Sequence, residues 1–311
     1  MCKILVKTKN LTHNEWLKYR QLGIGGSDAG AIMGANKYRS AIDVYIDKTS
    51  DVPSAIEDNE AMRLGRDLED YCSKRFTEAT GLAVHRSNVI YQSTENPFML
   101  ANIDRKVSGQ NIGLEIKTVS PLNESLWDNN EIPSNYYYQI MHYMAVTGFE
   151  AFYICALIFG KRLVIHKIER NEDVIHNLIS KEKSFWYDYV QAGIMPLSDG
   201  SKSAKTAISN YYATATPNTD IPLIDYDEEL NRWDEITSQQ EMLATEKNII
   251  EDHIKQVLKD AEAGNATNHK ITWKNVVSNR FDSYSLKKDL PEIYERYLKT
   301  NTHRRFMIKP A

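Results

Sequence analysis

Cysteine is scarce in this chain and shows no pattern. Cys2, Cys72 and Cys155 are spread through 311 positions, odd in number and without a C-x-x-C pair. That excludes a disulfide framework, a structural zinc and an iron–sulfur cluster from the expectation. The eight histidines form no H-x-x-x-H pair, so a zinc site built on histidine is not expected. No apolar run approaches the ~20 residues of a membrane span. The opening Met1-Cys2-Lys3-Ile4-Leu5 lacks the apolar core of a signal peptide. The expectation is a reducing, cytoplasmic setting with no membrane partner. Excess charge of one sign is missing too: 38 basic residues stand against 42 acidic ones, which excludes a uniformly basic DNA-coating protein.

The charge that is present is unevenly placed. Asp220 to Glu262 holds thirteen acids against four bases, and Arg280 to Lys309 eight bases against four acids. The first twenty residues carry Lys3, Lys7, Lys9, Lys18 and Arg20 against Glu15 alone. Local basic patches are therefore expected on a nearly neutral molecule. The length gives room for a sizeable core and one or two domains.

The stretch with the most chemistry runs from Asn102-Ile103-Asp104 to Leu114-Glu115-Ile116-Lys117. Met99 to Ile103 is apolar and β-prone, Ser108 to Asn111 supplies turn residues, and Ile112 to Val119 alternates, which predicts a hairpin. Alternation puts Glu115 and Lys117 on one face of the strand and Leu114 and Ile116 on the other. A neighbouring strand ending at Asp104 can bring a second carboxylate beside Glu115. Two converging carboxylates with one lysine are costly unless a divalent cation supplies charge, and oxygen ligands suit Mg²⁺ or Mn²⁺. The alternative at this point is an exposed amphipathic hairpin carrying one surface ion pair.

Further elements follow along the chain. Thr12 to Gln21 reads as a capped helix. Gly23 to Gly34 is a glycine-rich turn feeding a small-residue helix at Ser27-Asp28. It lacks the Lys-Ser/Thr of a Walker loop, and two readings stay open: a phosphate-binding turn, or a Ser27-capped helix whose glycines serve close packing. Ala41 to Lys48 is a short helix and 50–58 a polar linker. Glu60 to Thr80 is an amphipathic helix stopped by Gly81, with Leu64, Leu68, Cys72 and Phe76 as its stripe and Glu69 beside it. Leu82 to Gln92 reads as one strand. Ser134 to Thr147 is a helix closed by Gly148, with Tyr136, Gln139 and Tyr143 near one face. Ala151 to Phe159 and Arg162 to Ile168 form a hairpin turned at Gly160-Lys161. Glu172 to Ala192 is an aromatic-rich helix whose rings are expected in the core. Residues 196–226 read as a linker or extended segment, Asp227 to Ala263 as a long acidic helix, Lys270 to Val277 as a strand, Pro291 to Lys299 as a helix and Arg304 to Lys309 as a basic strand.

A helix with Glu69, a strand, the Asp104/Glu115-x-Lys117 hairpin, a helix with Gln139 and another strand: this order resembles the restriction-endonuclease-like nuclease core. Residues from about Thr12 to Ala192 resemble the YqaJ-like viral recombinase family, related to the lambda-type alkaline exonucleases. The marks are Trp16-Leu17-Lys18-Tyr19-Arg20 leading into Gly25-Gly26-Ser27-Asp28, Leu64-Gly65-Arg66-Asp67-Leu68-Glu69, the Asp104/Glu115-x-Lys117 set, and Tyr138-Gln139-Ile140-Met141-His142-Tyr143-Met144-Ala145-Val146-Thr147-Gly148. The resemblance implies an α/β fold, a central mixed sheet flanked by helices over 1–195, followed by the 196–226 segment and a helical and β extension over 227–311.

It also implies roles. Asp104 and Glu115 would hold Mg²⁺, or Mn²⁺ in its place, with the Ile116 carbonyl as a further oxygen ligand. Lys117 would orient or deprotonate the attacking water, and Glu69 would be an outer or second-metal ligand. Arg20 and Ser27 match a pocket for the 5′ phosphate, and Gln139 a contact to the phosphate or the nucleophile. Asn102 stands where lambda-type enzymes carry a hydroxyl. The implied activity is 5′→3′ degradation of double-stranded DNA ends in phage or prophage recombination. The implied partners are a single-strand annealing protein and further copies of the chain, as a trimeric ring. An endonuclease or nickase of the same core, or a silent DNA-binding relic, are the alternatives.

Overall fold

A computed structural model of the chain describes residues 2–52, 59–128, 131–159 and 161–309. β1 (Cys2–Lys7) leads to α1 (His13–Gln21), the two-residue β2 (Ile24–Gly25), α2 (Gly26–Ile32) and α3 (Ala41–Thr49). Then come α4 (Glu60–Thr80), β3 (Val84–Arg86), β4 (Val89–Ser93), β5 (Met99–Ala101), β6 (Arg105–Val107) and β7 (Ile112–Val119). A 3₁₀ segment over Pro121–Trp127 precedes α5 (Ser134–Thr147), β8 (Ala151–Ile158), β9 (Arg162–Glu169), α6 (Glu172–Ser184), a π-helical turn over Phe185–Gln191, and α7 (Lys202–Tyr211). The chain divides into two units, Met1–Ala213 and Thr214–Ala311.

The first unit holds two sheets. One has the strand order β1-β4-β5-β2 and the other β3-β6-β7-β8-β9. In the second, β7 and β8 are parallel through the α5 crossover, while β6/β7 and β8/β9 are antiparallel. The sheet is therefore mixed, as expected. Alternation along β7 decides what covers each face. Leu114 and Ile116 pack with Cys72 and Phe76 of α4 and with Cys155. The other side meets α5, whose Ile140, Met141 and Met144 lie in the main core with Phe152 and Ile154. Gly113 allows this packing, because a Cβ there would sit 2.2 Å from the Phe152 ring.

Local signals set the helix ends where the sequence places them. Thr12 caps α1 in a capping box with Glu15, and Gly81 and Gly148 end α4 and α5 in the left-handed region. In the aromatic turn after α6, Phe185 is buried and Trp186 and Tyr189 pack against the core as expected, whereas Tyr187 is 44% exposed.

Strand partners come out differently. Met99–Ala101 does not pair with β7. It lies between β4 and β2 in the other sheet, and the hairpin partner of β7 is Arg105–Val107. The chain thus crosses from one sheet to the other over 102–104, which places Asp104 at the seam. Leu82 to Gln92 is likewise two strands in different sheets, broken next to Asn88, a residue type that tolerates its φ of 46°. The segment expected as linker contains α7, whose Ala204 and Ala207 pack on Ile42 of α3. The first unit therefore extends to 213 rather than 195. Residues 53–58 of the polar linker and Gly160 of the expected turn lie outside the described residues.

The second unit has a 3₁₀ turn (Ile224–Tyr226), α8 (Asp227–Leu258), β10 (Ala263–Asn265), β11 (Lys270–Thr272), α9 (Ser283–Asp289) and α10 (Pro291–Tyr297). α8 ends at 258 instead of 263, where Lys259 turns to φ 49°. The expected strand at 270–277 stops at 272, because β10 offers only three residues to pair with. The tail 304–309 is not a strand. α10 closes at Tyr297, and α9, capped by Asp282, was not expected.

One buried cluster ties α1, α2 and α3 together. Asp28 is fully buried. It takes Arg39 Nη1 at 2.6 Å and Lys48 Nζ at 2.8 Å, and also accepts the Gly25 amide at 3.0 Å. Lys48 in turn donates to the Arg20 carbonyl. The helix cap over Gly25 is therefore Asp28 reaching back, and Ser27 is not the cap. Burial raises the Asp28 carboxyl, but the charges of Lys48, Arg39 and Arg20 outweigh it and hold the group far below the carboxylate range.

Asp28→Asn should therefore cost about 3–5 kcal/mol in denaturant unfolding, because the buried Lys48 loses its carboxylate and Arg39 is left with Asp47. A depressed carboxyl contributes stability above its unfolded pKa of about 3.9 and loses it on acidification. Wild-type stability should thus fall below pH ~4 more steeply than that of the variant. Equal stability and equal slopes would show that the cluster does not hold the three helices.

Candidate active site

The site assembles where β7, the β5–β6 crossover and α5 meet. Glu115 is 3% exposed. Its Oε1 accepts Lys117 Nζ at 2.6 Å and Gln139 Nε2 at 2.7 Å. Gln139 also donates to the Tyr143 hydroxyl at 2.9 Å, one turn further along α5. Lys117 stands over the Tyr136 ring at 4.9 Å. The half-buried Asp104 is held by the Ile116 amide, which donates to its Oδ2 at 2.8 Å. So Asp104, Glu115, Ile116, Lys117 and Gln139 come together as expected from the sequence.

Glu69 stands at the rim of this group. Its Oε2 lies 3.6 Å from Arg105 and 3.9 Å from Arg86, and it forms no three-carboxylate ligand group with Asp104 and Glu115. Arg105, 3% exposed, also holds Asp70 at 2.7 Å. Its part in fixing the chain next to Asp104 has no signature in the sequence beyond adjacency.

The electrostatics are short of positive charge. Burial, and after it the charge of Asp104, pushes Glu115 up to about 8. Asp104 is raised mainly by burial, and Glu69 by burial and then by Asp104. Burial lowers Lys117, but Glu115 and Asp104 more than reverse that, so it stays an ammonium. Glu115 Oε2 is buried without a hydrogen-bond partner; among the described residues only His166 Nε2 shares that condition. A buried carboxylate oxygen with no partner beside a second carboxylate is a fitting place for a divalent cation. Mg²⁺ is commonly held by one or two carboxylates with waters completing the shell, so the donor set suffices.

Two concave spaces lie beside the site and share Ser27 and Gln139. The smaller, about 180 Å³, is lined by Arg20, Ser27, Asn102, Asp104 and Tyr143, with Trp16 on its wall. The larger, about 630 Å³, is lined by Lys117, Tyr136 and the 3₁₀ segment. Arg20 lies over Trp16 at 4.8 Å and donates to Ser27 Oγ at 2.6 Å. The i, i+4 spacing of Trp16 and Arg20 is the sequence signal for that stack. Gly26 serves packing: a Cβ would meet Tyr143 at 2.4 Å, so α2 can press against α5. α5 is pinned from behind by His142, whose ring bridges Glu182 at 2.8 Å and the Leu100 carbonyl at 2.9 Å.

A mixed sheet flanked by helices carries the Asp104, Glu115-x-Lys117 set at its seam, the arrangement of the restriction-endonuclease-like fold. Residues 15–150 match the model of the YqaJ-like viral recombinase domain. The chain is 37% identical over 310 residues to the uncharacterized protein YqaJ of Bacillus subtilis strain 168, covering 99% of this chain and 97% of that one. The chain belongs to the YqaJ-like viral recombinase family. Among solved structures, the alkaline exonuclease LHK-Exo of Laribacter hongkongensis is 20% identical over 58% of this chain and 93% of that one, with a TM-score of 0.49. LHK-Exo in complex with dAMP aligns at 19% identity over the same shares, with a TM-score of 0.50, and supports the fold.

The carboxylate pair has a measurable signature without substrate. Glu115 in the folded, cation-free protein keeps a proton that the unfolded chain releases near 4.5. Stability should therefore fall as pH rises from about 4.5 to about 8. Glu115→Gln should flatten that slope. A divalent cation at about a hundred times its dissociation constant should add about 2.7 kcal/mol to wild type and nothing to Asp104→Asn. A slope or a cation effect that survives both changes would remove the pair as the site.

Proposed function

We propose that the chain is a Mg²⁺-dependent exonuclease that degrades double-stranded DNA from 5′ ends and leaves 3′ single-stranded tails for annealing in phage-type recombination. One observation carries this reading. Asp104, beside the buried Glu115 with its unpartnered oxygen, lines a small pocket together with Arg20 and Ser27. Asp104, Glu115 and the Ile116 carbonyl would hold the cation, Mn²⁺ serving in its place, and Glu69 would be an outer carboxylate. When bound, the cation supplies Lewis-acid charge and an activated water.

The chain's own residues do the rest. Lys117, fixed as an ammonium by Glu115, stabilises negative charge that develops on the phosphate under attack. Gln139 holds Glu115 in place and lies between the two spaces. Arg20, braced by Trp16, offers a charge-assisted donor to a terminal phosphate, which carries more charge than an internal diester. A pocket of about 180 Å³ suits such an end group better than a continuous duplex. The same reading includes a cytoplasmic setting, a single-strand annealing protein as partner and assembly of several copies, as a trimeric ring.

End-labelled linear duplexes with and without a 5′ phosphate test the proposal. Wild type in Mg²⁺ should degrade the phosphorylated duplex faster, and EDTA, Asp104→Ala or Glu115→Ala should abolish cleavage. Arg20→Ala should lose most of the preference, a contact worth ~1.5–3 kcal/mol, while still cutting 5′-hydroxyl ends. Equal rates on both ends in wild type, or nicking of closed circles, would favour an endonuclease of the same fold.

A further inference from the structure

The basic C-terminal part of the second unit takes no share in the site described above. Residues 270–309 hold ten bases against four acids, with six aromatic residues interleaved among them. Phe281, Tyr284, Tyr297 and Phe306 are between 73% and 88% exposed. α9 and α10 have no buried residue, so these rings are not the core of that unit.

The cations differ from those of the nuclease unit. There, surface Arg75, Arg86, Lys161 and Arg162 each have a carboxylate within ion-pair distance. Among the described residues no carboxylate lies that close to Lys287, Lys288, Arg296, Lys299 or Arg305. Lys287 instead stands over the Tyr294 ring at 5.4 Å, and the Arg296 guanidinium over Tyr297 at 5.7 Å. α8, by contrast, holds nine acids against three bases, so charge within the unit is segregated by element.

Unneutralised cations alternating with exposed rings match a polyanion that also presents flat apolar faces. Duplex DNA shows its phosphates but hides its base faces in the stack, whereas a single strand shows both. We infer that residues 270–309 form a single-stranded DNA-binding arm, with the bases stacking on Phe281, Tyr284 and Tyr297 and the backbone lying against the neighbouring lysines and arginines. The arm gives the product strand of the proposed exonuclease a place to be held. That link rests on the nuclease reading; the binding itself does not.

The test uses the full chain in EDTA, where no cleavage occurs, and a labelled oligo(dT) of about 16 nucleotides read by fluorescence anisotropy. The combined Phe281→Ala, Tyr284→Ala and Tyr297→Ala variant should bind at least about tenfold more weakly, the size of one lost base stack. The Lys287→Gln, Lys288→Gln and Arg305→Gln variant should lower the slope of log affinity against log salt by about two, from ~0.7 per phosphate contact on a single strand. Initial nuclease rates on short 5′-phosphorylated duplex should stay at wild-type level in both. Unchanged affinity and salt slope would overturn the inference. So would a changed oligomeric mass with oligo(dT) binding intact, which would make the arm a protein interface. Wild type that binds through these residues but never cuts DNA would leave the arm standing and end the nuclease reading.

Discussion

Two carboxylates brought together in a largely buried setting set the terms for the rest of the first unit. Glu115 is buried on the inner face of β7, and Asp104 is brought against it by the chain's crossing between two sheets. Burial and the charge of Asp104 raise the cost of ionising Glu115, burial raises that of Asp104, and one ammonium, Lys117, does not cancel both. Their surroundings are arranged to hold this unfavourable pair in place. The Ile116 amide fixes Asp104, Lys117 and Gln139 occupy one oxygen of Glu115, and the other oxygen is left without a partner. A protein selected for stability alone would have no use for that arrangement. It becomes sensible when a cation completes it.

The second buried charge cluster has the opposite character. Asp28 is surrounded by more positive charge than it needs, from Lys48, Arg39 and Arg20, and has no oxygen to spare for a ligand. Its work is mechanical. By joining α2 to α3 and to the carbonyl of Arg20, it sets the end of α1 from which Arg20 reaches over Trp16 to Ser27. The two clusters thus divide the labour: one stores unsatisfied charge at the seam, and the other fixes the wall of the pocket that faces it.

What could be read from the sequence was what depends on neighbours in the chain. Gly81 and Gly148 stop their helices by local backbone preference, and Thr12 caps its helix by a bond to Glu15 three residues on. The alternation that separates Glu115 and Lys117 from Leu114 and Ile116 needs no tertiary information either. Choice of partner strand does, and there the reading went astray: 99–103 is β-prone, but the sheet that recruits Met99–Ala101 is built from β2 and β4. The charge cluster around Asp28 could not be read from the glycine-rich turn, because its ion-pair partners lie 11 and 20 positions further along the chain. Arg105, beside Asp104 in sequence, shows its role only once α4 delivers Glu69 and Asp70 to it. The convergence of Asp104, Glu115, Lys117 and Gln139 was legible because the order of elements carrying them is itself a pattern.

A crystal of the protein soaked in Mn²⁺ and measured for anomalous scattering tests the central claim most directly. The expected result is a peak bonded to Asp104 and to the Oε2 atom of Glu115, absent from Asp104→Asn crystals treated the same way. A map with no peak between these two side chains, or with Mn²⁺ bound elsewhere, would contradict the claim that the pair is arranged for a cation.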